Sequence, residues 1–236
     1  MKTPSLLPRL FCLALALAWT HGAQASTVFW GSNFNDNLYD SSGNALDSTY
    51  SFEIGSFGTF VPTYQNIDQW QANWHVIDRA FDPDSNGWNS TEQFFVGTVG
   101  FNTDGTSDSP DANPADVFTQ GDVVYLWVYN SLSIVPGSEW ALVTDGSPVG
   151  DSADDWIIPD PADTSSSFNW QLTDANSAVI GGANGVQGPG GYSTTPSVFS
   201  LQTAVVPEPG SALLLLAAAA AHLTRRARRL SRMPLL

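Results

Sequence analysis

The residues best suited to chemistry are Asp82-Pro83-Asp84-Ser85-Asn86-Gly87-Trp88. Oxygen-bearing side chains stand at alternate positions and a glycine occupies the sixth, where a calcium loop turns sharply. Asp82, Asp84 and Asn86 would supply side-chain oxygens, and Trp88 a peptide carbonyl. The pattern then weakens. Position twelve is Gln93 where a bidentate Glu belongs, Glu92 is one place early, and a strand is expected to follow where a helix–loop–helix site has a helix. The same residue types also build a plain turn, because Pro, Asp, Asn and Gly each favour turn geometry. Calcium is therefore an expectation beside the simpler turn.

Other constellations carry less. Gly150-Asp151-Ser152 resembles the nucleophile block of one esterase family, but no His follows it before the C-terminal apolar run. His75 is the only His between Ser26 and Val206, and a Ser-His-Asp site needs an imidazole oriented toward the nucleophile. The expected helix gives it Asp78 and Arg79 as neighbours on a solvated face. Paired carboxylates for glycoside hydrolysis depend on spatial separation, and so many acids offer many chance pairs. Asp154-Asp155 beside Trp156, and Asp160 and Asp163 in a Pro-rich stretch, read as exposed turns. There is no Cys cluster, His pair or P-loop, and Gly181-Gly182-Ala183-Asn184-Gly185 precedes no helix, so it is no phosphate cradle.

The ends of the chain are more explicit. Residues 1–25 carry Lys2 and Arg9, then the apolar Leu10 to Trp19, then Ala23-Gln24-Ala25. This is the order of a secretory signal peptide, with cleavage by signal peptidase expected after Ala25. Residues 205–232 read VVPEPGSALLLLAAAAAHLTRRARRLSR. Pro207 and Pro209 keep the backbone extended, so a helix can begin only after them, at about residues 211–224. At about 1.5 Å per residue it spans about 21 Å against a hydrocarbon core of about 30 Å. Snorkelling arginines and a thinned bilayer would close the gap. Arg225, Arg226, Arg228 and Arg229, within the 225–232 cluster, then mark the cytoplasmic side.

The Pro-Glu-Pro, the apolar span and the Arg cluster, in that order, resemble the PEP-CTERM sorting signal of Gram-negative bacteria. The resemblance covers only about the last 30 residues. It implies recognition by an exosortase, a membrane transpeptidase of cysteine type, near Pro207, Glu208 and Pro209, followed by removal of the tail. Those three residues would be a substrate site and not catalytic groups. The chain would be exported across the inner membrane, held there transiently by the C-terminal helix, and then released to the cell surface or the extracellular space.

Residues 26–204 form the expected secreted domain. Of eight basic residues, two lie in the signal and five in the tail, leaving Arg79; of 23 acids only Glu208 lies outside, so the body carries a net charge of −21. Such a surface repels nucleic acid phosphates and anionic membranes. Cys12 is the only cysteine and leaves with the signal, so the mature body has no disulfide of its own. Nine Trp among many Phe, Tyr, Val and Ile argue for a packed core and against disorder.

Short apolar runs between Gly, Pro, Asn, Asp and Ser clusters predict strands at Thr27–Trp30, around Tyr50, Phe52 and Ile54, at Glu92–Phe101, Asp122–Tyr129 and Trp140–Thr144, and at Ser167–Leu172, Ala178–Ile180 and Val198–Thr203. Val123 to Tyr129 is almost wholly apolar, as a strand buried on both faces would be. One helix is expected, capped by Asn66, with Ile67, Trp70, Trp74 and Ile77 on one stripe and Trp70 and Trp74 anchoring it to the sheet. The fold class is all-β: an antiparallel β-sandwich or jelly roll with one short helix. The function expected is that of an exported, non-catalytic protein of the cell surface or exopolysaccharide matrix. The alternative is a carbohydrate-binding or carbohydrate-acting protein in which Trp88 or Trp156 stacks on sugars.

Overall fold

The computed structural model describes residues 26–82, 87–145, 155–163 and 165–208. Its strands are β1 (Ser26–Gly31), β2 (Leu38–Tyr39) and β3 (Ser51–Ser56), followed by a 3-10 stretch (Tyr64–Gln69) that runs into α1 (Trp70–Asn73). Next come β4 (His75–Phe81), β5 (Trp88–Asn89), β6 (Phe94–Phe101), β7 (Val124–Tyr129), β8 (Glu139–Thr144) and β9 (Ser167–Gln171). The chain closes with β10 (Ser177–Ile180), β11 (Gly182–Ala183), β12 (Val186–Gln187), β13 (Leu201–Gln202) and β14 (Ala204–Val205). The described body is thus mostly β with one short helix.

Two main sheets run β5-β6-β1-β9 and β10-β8-β7-β3-β4, with β14 added to β8, and a small third sheet runs β12-β11-β13-β2. Most neighbours are antiparallel, but β9 lies parallel to β1 and β13 parallel to β2. These two parallel pairs depart from the antiparallel arrangement expected. Parallel neighbours need a long crossover, and the chain from Gly31 to Ser167 is ample for one.

Alternation puts the core where period two demands. Val28 and Trp30 of β1, Phe95, Val99 and Phe101 of β6, and Trp170 of β9 share one buried cluster with Phe52 and Ile54 of β3 and Leu126 and Val128 of β7. The opposite face of the second sheet carries Trp127, Tyr129, Trp140 and Leu142, which pack with Phe57, Ile67 and Trp70 in a second cluster. The second sheet is therefore buried on both sides, and this is why β7 reads as a continuous apolar run.

The helix is shorter and earlier than expected. Thr63 is its N-cap and Asn66 the third helical position: the Thr63 N–H donates to Asn66 Oδ1 at 2.8 Å, and the Trp70 indole N–H donates to the same oxygen at 2.9 Å. Ile67 and Trp70 anchor it as their spacing indicated, but Trp74 is extended (φ −87°, ψ 126°), and His75 and Ile77 belong to β4. A ladder with β3 from Ser51 to Ser56 gives residues 75–81 backbone partners and buries Ile77 and Ala80 between the sheets. Pairing at that range outweighs the local helical spacing. Gly55 makes room for the turn, because a Cβ there would collide with the His75 carbonyl and the Trp74 ring.

Candidate functional site

His75 opens β4 at the mouth of a pocket of ≈ 200 Å³ that Ser56, Thr59, Thr119 and Asp122 also line. The segment between β6 and β7 folds back over β4 to form the far wall. Ser107 Oγ donates to the Ile77 carbonyl at 2.7 Å, Ser109 Oγ donates to Asp78 Oδ1 at 2.7 Å, and Phe118 packs edge-on against Phe101. The same segment brings Asp116 Oδ2 to 3.1 Å from His75 Nδ1. The body's single imidazole thus has an orienting carboxylate, 41 positions away in sequence, which local reading placed out of reach.

Two thirds of a nucleophilic triad are present in this arrangement. Ser56 is paired with His75 in the β3–β4 ladder, yet its hydroxyl is buried and accepts the Gly58 N–H at 3.0 Å, with no hydrogen bond to the imidazole. A general base must reach the proton it removes. The pocket thus has an oriented imidazole in its lining but no activated nucleophile beside it among the described residues.

The deepest acids hold the fold together. Glu53, 1% exposed, accepts the Tyr129 hydroxyl at 2.5 Å and the Arg79 Nε–H at 2.6 Å on Oε1, and the Trp74 indole N–H at 2.8 Å on Oε2; Arg79 Nη2 also reaches Oε1. Burial works most strongly against the Arg79 charge, but Glu53, Tyr129 and Asp111 together outweigh it and lift Arg79 above its ordinary pKa. Burial, reinforced by Glu53, likewise pushes the Tyr129 hydroxyl far above the ordinary tyrosine range. Glu139 ties four segments together: it accepts from Ser41 N–H at 2.9 Å, Ser41 Oγ at 2.7 Å, Tyr50 Oη at 3.0 Å and Thr203 Oγ1 at 2.7 Å. Asp78 joins the two main sheets, since the Trp30 indole N–H donates to its Oδ2 at 2.7 Å. Gly97 leaves the space for that bond; a Cβ there would overlap the Trp30 ring and crowd Asp78. Burial raises the Asp78 pKa, with Asp111 adding to it, against the hydrogen bonds of Ser109 and Trp30.

Comparison with protein-family models, with curated proteins and with solved structures finds no match. Function has to be argued from the residues themselves.

Asp82 lies at the end of β4, where its Oδ2 accepts the Ser90 hydroxyl at 2.6 Å and the Ser90 N–H at 3.3 Å. Trp88, the seventh position of the expected loop, lies in the short strand β5, the strand expected after the loop is β6, and Asp84 and Asn86 lie outside the described residues. Among the described residues no three His, Cys, Asp or Glu side chains gather as metal ligands. Asp160 and Asp163 make the expected turns, accepting the Ala162 and Ser165 N–H groups at 2.9 and 3.1 Å. Ala23, Ala25, the Gly150-Asp151-Ser152 stretch, Pro209, the expected helix at 211–224 and Arg225, Arg226, Arg228 and Arg229 all lie outside the described residues. No helix among those described is long and apolar enough to cross a membrane.

The tryptophans named as sugar platforms are misplaced for that role. Trp88 is 3% exposed and packs at a tilt against Phe52, with its indole N–H donated to the Asp47 carbonyl at 3.2 Å; Trp156 is 2% exposed within the same core. A large flat side chain gains most by burial, and the composition gave no sign of which ring would stay outside. Among the described residues the exposed aromatic rings are Phe29 and Phe34. For Phe29 a signal existed: in a strand whose Val28 and Trp30 face inward, Phe29 must face outward.

Proposed function

We propose that this is an exported, non-catalytic protein of the cell surface or exopolysaccharide matrix, a β-sandwich body sorted by a C-terminal signal of the PEP-CTERM kind. The observation that carries the reading is the way the body ends. β14 pairs with β8, the Val205 N–H donates to the Gly191 carbonyl at 2.9 Å, and the Val206 N–H donates to the Ser138 carbonyl at 2.9 Å with Val206 buried. Pro207 and Glu208 follow at once and are exposed. A processing enzyme needs an accessible, extended substrate, and the two residues present themselves that way, with the last bonded position of the fold directly before them. Cutting there leaves every described strand and both described buried clusters on the retained side. The engaged Ser56 hydroxyl and the structural duties of Glu53, Asp78 and Glu139 support the non-catalytic part.

The test is mass spectrometry of both termini of the protein recovered from cells with and without the exosortase. The expected mature chain starts at Ser26 and ends near Pro207–Pro209, and the C-terminal change is lost without the enzyme. Recovery of the intact chain from cytosol, from Met1 to Leu236, overturns the proposal.

A further inference from the structure

The two main sheets differ in charge. β1, β6 and β9 are STVFWG, FFVGTVGF and SFNWQ, and none contains a charged residue, in a body whose net charge is −21. The second sheet carries Glu53, Asp78, Arg79 and Glu139. The outer face of the first sheet is also open. Phe29 is 47% exposed and Val96 51%, and Thr98, Ser167 and Asn169 are exposed as well.

Register places these groups together. Phe29 lies opposite Thr98 on one side and Asn169 on the other, with neighbouring strands about 4.8 Å apart. A phenyl ring is thus flanked by a hydroxyl and an amide. The Gln171 side-chain N–H donates to Asn169 Oδ1 at 2.9 Å, so the two amides are held in line along β9. Asn169 Nδ2 takes no partner among the described residues and remains for a ligand, while the Gln171 side chain is also engaged by the Asp174 N–H of the turn that follows β9. At the far end of the face Phe34 lies over Phe94, ring centres 4.1 Å apart.

We infer that the outer face of the first sheet binds a neutral polysaccharide, with Phe29 as its platform. A sugar ring offers an apolar C–H face to an aromatic ring and hydroxyls around its rim, which match the phenyl and the flanking Thr98 and Asn169. Charge selects among occupants. A second copy of this chain, or an acidic polymer, meets a body of net charge −21 and is repelled; a neutral polymer is not. The inference relies on export only for where the polymer is met, and binding is a property of the folded body.

The experiment is affinity electrophoresis of the exported protein, purified from cells expressing the full chain, in gels containing hydroxyethyl cellulose, galactomannan or alginate. Retardation is expected in at least one neutral polymer and not in alginate. Phe29→Ala and Asn169→Ala should each weaken it, the first by about tenfold, at unchanged Tm, while Phe29→Trp retains it. The inference is overturned by no retardation in either neutral polymer, by retardation that survives Phe29→Ala, or by a dimer in light scattering that Phe29→Ala dissolves. Terminal mass spectrometry reads the sorting proposal separately, so the failure of one is distinguishable from the failure of the other.

Discussion

Both main sheets turn an aromatic face away from the shared core, and the two faces have opposite fates. On the second sheet Trp127, Tyr129 and Trp140 are covered by the helical segment: Trp70 lies 5.9 Å from the rings of both Trp127 and Trp140, and Trp74 lies 5.4 Å from Trp127. On the first sheet nothing among the described residues covers Phe29 or Val96. The difference teaches that aromatic content says little about role until its cover is known. A covered aromatic face is a second core, and one left open in an acidic body is a surface available to a partner.

The contrast yields measurements in descending order of effect. Trp127→Ala empties the middle of the covered face and should cost about 3–5 kcal/mol in urea unfolding, enough to leave little of an ordinary domain's stability. A loss under 1 kcal/mol would mean that the second cluster is not a core. Glu53→Ala strips three donors of their acceptor at the rim of that face. It should cost about 3 kcal/mol, the low end for a broken buried pair, because Arg79 reaches solvent; the matching readout is a lowered urea midpoint with unchanged m-value.

Asp78 tests the seam between the sheets. Its folded pKa is raised above the ordinary 3.8 by burial, so the folded state holds the proton more tightly than the unfolded chain does. Its contribution is then fully present below about pH 3.8 and is lost as pH rises through the folded value. Asp78→Asn keeps an acceptor for the Trp30 indole and removes the titration. The wild type should therefore gain on the variant as pH falls through that window, in paired denaturation curves; a constant difference across pH 3 to 7 would show that Asp78 titrates normally. The smallest effect belongs to the open face, where Phe29→Ala should change stability by no more than about 0.5 kcal/mol. A loss comparable to that of Trp127→Ala would make Phe29 a core residue and erase the contrast.

Much of the β framework was legible. Val28 and Trp30 against Thr27 and Phe29 and the apolar run of β7 carry their own periodicity, because alternation acts within a few residues; the Gly-rich stretch from Gly181 reads as a loop, yet it holds β11 and β12. The helix boundary was misread because Trp74 and Ile77 satisfy a helical stripe as well as a strand, and the pairing with β3 that decides between them comes from residues 51–56. The His75–Asp116 contact was illegible for a related reason: a long segment between β6 and β7 brings the carboxylate back, and loop paths are set by what they pack on.

The sequence alone determined that the body is acidic, free of cysteine after residue 25, rich in short strands, and flanked by two apolar segments with basic residues beside them. These are properties of composition and of neighbours in the chain, and they survive any folding. Which tryptophans vanish into the core, which carboxylates become girders and which sheet face stays bare were decided only by tertiary structure. Burial depends on what comes to lie opposite, and a residue's sequence neighbours do not specify its partners across a sheet.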